Sequence, residues 1–357
     1  MRRHGSPDTA GSRTDPRRGD DSVREDARVG DERARRPVDA VPTGPGPDAA
    51  AVARAFDLGV ASGPTTFAAR GELGRIWRLD TDRGSWAVKQ LLSVPEPVDI
   101  AVDVALQQRA IAAGVAAPAP VMTPDGQPLA VVGADTVRVH TWAELLPGPV
   151  SASAITAAEL LGRMHAAAAP TTDLVDPWFC EPVGEARLRE IATTALARGA
   201  WWNGVLQRRF ADLVALASVI RELDQDEPRH LCHCDFNPQN VLVSAAGDGV
   251  VVDWENGGPF WLHCELASTI AEFEVPVTEL RAFLDAYERA GGPARIADRS
   301  SFAGVLAVEL HLIEHYAERA LDPTTGDEER DRAEFWLVDI LEHLITVERV
   351  DAWTAAC

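Results

Sequence analysis

The chain has 357 residues, 46% of them apolar, enough to bury a full core and long enough to divide into two domains. With 34 basic against 55 acidic side chains the formal net charge is −21, which makes nucleic acid and anionic membranes poor partners. Five cysteines, scattered at 180, 232, 234, 264 and 357, carry no disulfide-framework spacing and point to a reducing cytoplasm.

Residues 1–47 hold ten Arg and nine acids, with Pro and Gly clustered at 42–47 and no hydrophobic period, so they read as a disordered tail. No apolar stretch follows the early arginines, and no run elsewhere is long enough to span a bilayer; neither a targeting signal nor a membrane segment is expected.

Residues 75–79 and 85–89 alternate aromatic and β-branched side chains around the turn Asp80-Thr81-Asp82-Arg83-Gly84, which predicts a β-hairpin. Its second strand carries Lys89, the only lysine in the sequence. A composition that has drifted 33 of 34 cations to arginine and kept one ammonium implies a place where a guanidinium does not fit. A slim point charge can enter a crowded cleft and meet phosphate oxygens. Ala87 points the same way as Lys89 and leaves room for a flat base such as adenine. Just upstream, Gly71 and Gly74 in Ala69-Arg70-Gly71-Glu72-Leu73-Gly74 let backbone amides approach phosphates closely. A helix is expected through residues 99–107 and a strand at 136–140. Residues 141–149, ending in Pro147-Gly148-Pro149, form the expected hinge between residues 48–140 and 150–357.

Helical periodicity is expected at 154–169, 186–197, 202–223, 277–290, 302–320 and 328–348. Between them lies His233-Cys234-Asp235-Phe236-Asn237-Pro238-Gln239-Asn240, followed by apolar runs at 241–243 and 250–252 joined by Gly-Asp-Gly and ending at Asp253. A loop and hairpin of this kind bring Asp235, Asn240 and Asp253 toward one point. Phosphoryl transfer needs such a set: a carboxylate for the attacking hydroxyl and hard oxygen ligands for Mg²⁺. The spacing His-x-Asp-x-x-x-x-Asn is that of a kinase catalytic loop. His233, like Met164 and His165, is expected to brace rather than react. Zinc on Cys232, Cys234 and the neighbouring histidines is disfavoured, because one intervening residue is too tight for a knuckle.

On these motifs the chain resembles the aminoglycoside phosphotransferase and choline kinase-like family of small-molecule kinases, from about Phe56 to about His343. The resemblance implies an α+β, two-lobed protein-kinase-like fold, with a small antiparallel sheet lobe that binds ATP and a helical lobe that holds the acceptor. It implies Asp235 as the catalytic aspartate, Asn240 and Asp253 as Mg²⁺ ligands, and Lys89 as the lysine on the α- and β-phosphates. The family's usual helix glutamate beside that lysine is matched best by Asp103, with Glu96 as the alternative. Cys234 stands where the family usually has Gly or another small residue, and Asp-Trp-Glu at 253–255 where protein kinases have Asp-Phe-Gly. With no activation segment, the acceptor implied is a small hydroxylated molecule. An acidic cleft favours a cationic one: an aminoglycoside or amino sugar before a choline- or homoserine-like metabolite. Glu265, Glu272, Glu309 and Glu314 are the candidate acceptor-binding acids. A regulatory, nucleotide-binding pseudokinase is the competing reading, and intact Lys89, Asp235, Asn240 and Asp253 speak against it. A monomer or homodimer is expected.

Overall fold

A computed structural model of the chain describes residues 44–71, 74–92, 97–148 and 150–357. Residues 1–43 of the expected tail lie outside them. The end of that tail is ordered into the fold: Pro47 is buried, and its carbonyl accepts a bond from Thr65 Oγ1 at 3.0 Å.

Helix α1 (Ala49–Ala55) is capped by Asp48, whose carboxylate accepts the Ala51 N–H at 2.7 Å. Strands β1 (Thr66–Arg70), β2 (Gly74–Thr81) and β3 (Gly84–Leu91) follow, then α2 (Pro97–Ala112), β4 (Pro120–Val121), β5 (Ala130–Val132) and β6 (Asp135–Thr141). They form one antiparallel sheet in the order β1-β2-β3-β6-β4, with β5 also paired to β6. The pleat sorts the side chains. Trp77, Leu79, Val88, Val137 and Val139 pack with Val52 of α1 and with Phe56, just past its end, in a small core. Alternation therefore turns Ala87, Lys89, Arg138 and His140 to the other face. On that face the register sets Lys89 opposite Arg138 and Ala87 opposite His140.

The chain leaves the sheet through residues 142–148, which are hydrogen-bonded to the second lobe: Ala245 N–H donates to the Glu144 carbonyl at 2.7 Å and Leu146 N–H to that of Val243 at 3.1 Å. Pro149 lies outside the described residues. The second lobe contains α3 (Ala154–Ala166), β7 (Pro170–Thr171), α4 (Glu185–Ala197), α5 (Asn203–Ile220), β8 (Arg229–Cys232), β9 (Val241–Val243), β10 (Gly249–Val251), β11 (Gly258–Phe260) and α6 (Leu262–Glu272). It ends in α7 (Leu280–Arg289), α8 (Ala303–Leu321), α9 (Asp327–His343) and α10 (Val347–Ala356). Its core joins Leu161, Leu206, Leu216, Leu266, Ile270, Phe283 and Leu310, and it takes in Leu106 and Ala110 of α2. The sheet lobe's long helix is thus seated on the helical lobe.

The single helix expected at 328–348 is two. Leu344 is extended (φ −47°, ψ 129°), and the Thr346 hydroxyl accepts the Arg349 N–H at 3.3 Å, so a cap starts α10 where apolar periodicity alone read continuation. Helix α3 stops at Ala166, three residues short of expectation.

Candidate active site

The loop after β8 is held from below. His233 is fully buried, its Nε2 lies 3.2 Å from the Val252 carbonyl, and its ring packs against those of Phe236 and Trp254. Cys234 follows with φ +62°, a left-handed conformation that side chains seldom adopt outside functional turns. Its N–H donates to Glu265 Oε1 at 2.6 Å. The other oxygen of Glu265 meets His165 Nε2 at 2.8 Å, and His165 Nδ1 meets the Tyr287 hydroxyl at 2.7 Å. Burial works against the Glu265 charge, but the His165 and Cys234 bonds outweigh it and lower its pKa. Glu265 therefore braces the loop as an acceptor of hydrogen bonds. Burial raises the Cys234 thiol well above its ordinary value, so it is not a nucleophile.

Asp235 is surrounded by amides. Asn237 Nδ2 donates to its Oδ1 at 2.6 Å, while Asn240 Nδ2 at 2.9 Å and Asn256 Nδ2 at 3.1 Å donate to its Oδ2. Burial nevertheless raises its pKa, and the charge of Asp253 adds to the effect. Asn240 spends its amide nitrogen on Asp235, its carbonyl at 2.9 Å included, which turns its Oδ1 away. Asp253, also at positive φ (+57°), gives Oδ1 to Lys89. Among the described residues neither Asn240 Oδ1 nor Asp253 Oδ2 has a partner, and two such oxygens suit a hard cation such as Mg²⁺.

Lys89 Nζ sits 2.9 Å from Asp253 Oδ1 and 2.5 Å from Glu255 Oε2. Burial disfavours its charge, but the two carboxylates outweigh this and raise its pKa. The partner expected on α2 is corrected: Asp103 does not pair with Lys89. Both its oxygens take the fork of Arg138 at 2.8 Å, because an aspartate is too short to reach past that guanidinium. Glu96, the alternative, lies outside the described residues. Arg138 and Glu255 escaped the sequence reading, although Glu255 stood in the quoted Asp-Trp-Glu segment and Arg138 in the quoted strand; only the register sets Arg138 opposite Lys89.

Across from Ala87, burial and then the nearby Arg138 and Lys89 charges push His140 down to about 3, so a neutral imidazole faces the cleft. Gly74 packs over the lysine stem. A Cβ there would lie 3.0 Å from Lys89 Cε and from the Gln90 carbonyl. Gly71 is less confined; its N–H donates to the Gly74 carbonyl at 2.9 Å, and a Cβ would meet only that oxygen, at 3.9 Å. Glu72 and Leu73, between them, lie outside the described residues.

Asp235 opens into a small pocket of about 50 Å³ walled by Phe179, Phe236, Phe260, Val305 and Val308, with Asn237, Glu265, Ser268, Thr269 and Glu272 as its polar side. Glu272 faces this space, yet the protein around its carboxyl and the charge of Asp235 push it up to about 7. Glu309 stands outside the cavity lining; burial pushes it up to about 8, with Glu272 adding to the effect. Glu314 is a correction: its carboxylate is held by Arg187 Nε at 2.7 Å, in an ion-pair cluster with Glu190 and Glu318. Of the four acids expected for the acceptor, Glu265 and Glu272 line the pocket, and among the described residues only Glu272 of these two has no hydrogen-bond partner.

The model of the phosphotransferase enzyme family (APH) matches residues 65–305. No curated protein sequence matches the chain. Solved structures do: an aminoglycoside phosphotransferase from Alicyclobacillus acidocaldarius at 17% identity and TM-score 0.55, covering 90% of this chain and 96% of that one. A spectinomycin phosphotransferase, solved with ADP and spectinomycin, aligns at 12% identity and TM-score 0.57, covering 79% and 94%. A microcompartment-associated aminopropanol kinase aligns at 15% and 0.52, covering 82% and 94%. These likenesses establish a shared two-lobed, kinase-like fold. Since the family match spans well over half of the sequence and includes the loop of Asp235, the chain belongs to the phosphotransferase enzyme family and is a phosphotransferase with an alcohol group as acceptor.

Proposed function

We propose that the protein transfers the γ-phosphoryl group of ATP, with Mg²⁺, to a hydroxyl of a small cationic molecule, an aminoglycoside or amino sugar. One observation carries the reading: the Asp235 carboxylate lies in the wall of a pocket shared by polar groups, Glu272, Glu265, Ser268 and Thr269 among them, and by the aromatic and aliphatic side chains of Phe179, Phe236, Phe260, Val305 and Val308. A pocket of this size would take one hydroxylated, amine-bearing edge of such a molecule, with an ammonium group near Glu272 and a ring face against Phe179 or Phe260.

Asp235 would accept the proton of the attacking hydroxyl, and its amide neighbours fix the carboxylate's direction. Asn240 Oδ1 and Asp253 would hold Mg²⁺, whose charge offsets that of the phosphates. Lys89 would meet the α- and β-phosphates beneath Gly74, with the base between Ala87 and the neutral His140. Residues 48–140 would form the nucleotide lobe, 141–149 the hinge and 150–357 the acceptor lobe. The solved neighbours named for spectinomycin and aminopropanol point toward amine-bearing alcohols as well.

A panel of hydroxylated amines and neutral polyols, scored for ADP release by the wild-type protein and by Asp235→Asn, tests this. Release dependent on an amine and lost in the variant supports the proposal. Release that follows neutral polyols, or survives Asp235→Asn, overturns it.

A further inference from the structure

Lys89 and Arg138 are cross-strand partners on the cleft face of the sheet. Two cations directly opposite each other repel, and both are buried, Lys89 at 9% exposure and Arg138 at 2%. The arrangement needs an anion between them. Glu255 supplies it, with Oε2 2.5 Å from Lys89 Nζ and Oε1 3.5 Å from Arg138 Nη1. It is not a member of the sheet; it arrives from the helical lobe, two residues after Asp253. Arg138 is in turn immobilised by the buried fork onto Asp103 of α2. The order of contacts is therefore Asp103, Arg138, Glu255, Lys89, joining α2, β6, the segment after β10, and β3.

Asp253 also touches Lys89, at 2.9 Å. An ammonium held only by Asp253 would occupy the carboxylate that the proposed metal site requires. We infer that Glu255 is the positioning residue for Lys89, held in place by Arg138 and Asp103, and that it keeps the ammonium at the nucleotide phosphates while leaving Oδ2 of Asp253 available to a divalent cation. This rests on the proposal that Lys89 meets nucleotide phosphates. It gives the work of a helix glutamate to a residue of the second lobe, so both lobes must be in place before the lysine is aimed.

The lone lysine makes the test direct. Protein labelled with ¹³Cε-lysine gives one lysine side-chain resonance, read first without nucleotide. Glu255→Gln keeps the shape and removes the charge, so it should shift that resonance, raise the KM for ATP about tenfold or more, and leave the KM for the acceptor within about twofold. The Mg²⁺ concentration for half-maximal activity should rise with it. Arg138→Met combined with Asp103→Leu removes both buried charges together, which keeps the fold where the single change would strand an acid. That double variant should shift the lysine resonance in the same direction by less. An unmoved resonance in Glu255→Gln, or an unchanged KM for ATP, overturns the inference. So does a wild-type resonance in the double variant. Adding a non-hydrolysable ATP analogue with Mg²⁺ to the wild type separates the two levels: if the resonance does not respond, the placing of nucleotide at Lys89 fails, whatever the nucleotide-free spectra show.

Discussion

Glu265 Oε1 lies 2.6 Å from the backbone nitrogen of Cys234, so a carboxylate on α6 holds the residue that precedes Asp235 in its left-handed turn. The brace acts on the backbone, and its loss should reach the chemistry through Asp235. Glu265→Ala leaves a buried N–H without an acceptor, a cost of about 1–3 kcal/mol, and should lower both Tm and kcat; Glu265→Gln, which keeps an oxygen for Cys234, should do so less. Cys234→Gly should retain activity, because glycine adopts φ +62° freely, while Cys234→Val should not. Thermal melts and turnover on the four variants check the ordering. Full activity in Cys234→Val would show that the turn tolerates other geometries.

Asp235→Asn should reduce kcat by about 10²- to 10⁴-fold while leaving ATP affinity nearly unchanged, since the carboxylate faces the pocket proposed for the acceptor. Calorimetric titration with ATP beside steady-state kinetics separates the two effects. A fall smaller than about tenfold would remove Asp235 from the role of base.

Asp253→Ala should raise the Mg²⁺ requirement and weaken nucleotide binding, and Asn240→Ala should do so more mildly, a neutral amide being the weaker ligand. Asn240→Ala also removes two bonds to Asp235, so it should cost kcat even at saturating Mg²⁺. Activity titrated against Mg²⁺ distinguishes them. An unchanged curve for active Asp253→Ala would put the cation elsewhere.

Lys89→Arg should fail although charge is kept, because the stem packs closely beneath Gly74 and a wider guanidinium would not reproduce the point contacts of the ammonium with Asp253 and Glu255. A loss of about 10²-fold or more in kcat/KM is expected. Arg83→Lys, at an exposed turn, should be silent by the same assay. An acyl-phosphate ATP probe should label Lys89 and be suppressed by excess ATP.

Glu272 is exposed on α6, yet the protein crowding its carboxyl, and after it the charge of Asp235, push it up to about 7. Above that pH it is charged and would attract the proposed cationic acceptor; as pH falls through about 7 it takes up a proton and that attraction would be lost. The acceptor KM should therefore rise as pH drops from about 8 to 6, and Glu272→Gln should show a high KM with little pH dependence. Retention of the wild-type slope in the variant would exclude Glu272 as its source.

Much of this site was legible in the sequence because its motifs are local. The loop from His233 to Asn240 and the strand bearing Ala87 and Lys89 are short segments whose spacing fixes which side chains share a face. Single-residue statistics added the lone lysine. The hairpins and the long helices were likewise written in alternation and period, apart from the break before Thr346, where a side-chain cap overrides an apolar stripe. What chain-local patterns could not supply is partner choice across the fold. The sequence set Asp103 beside the lysine and offered no reason to set Glu255 there. The cross-strand register of Arg138 with Lys89 decides that Asp103 serves the arginine and Glu255 the lysine. In the same way Glu265 and Glu314, alike on paper, become a loop brace and an ion-pair member, leaving Glu272 at the pocket. Spacing along one segment determines facing; distances between segments far apart in sequence are set only when packing closes the two lobes.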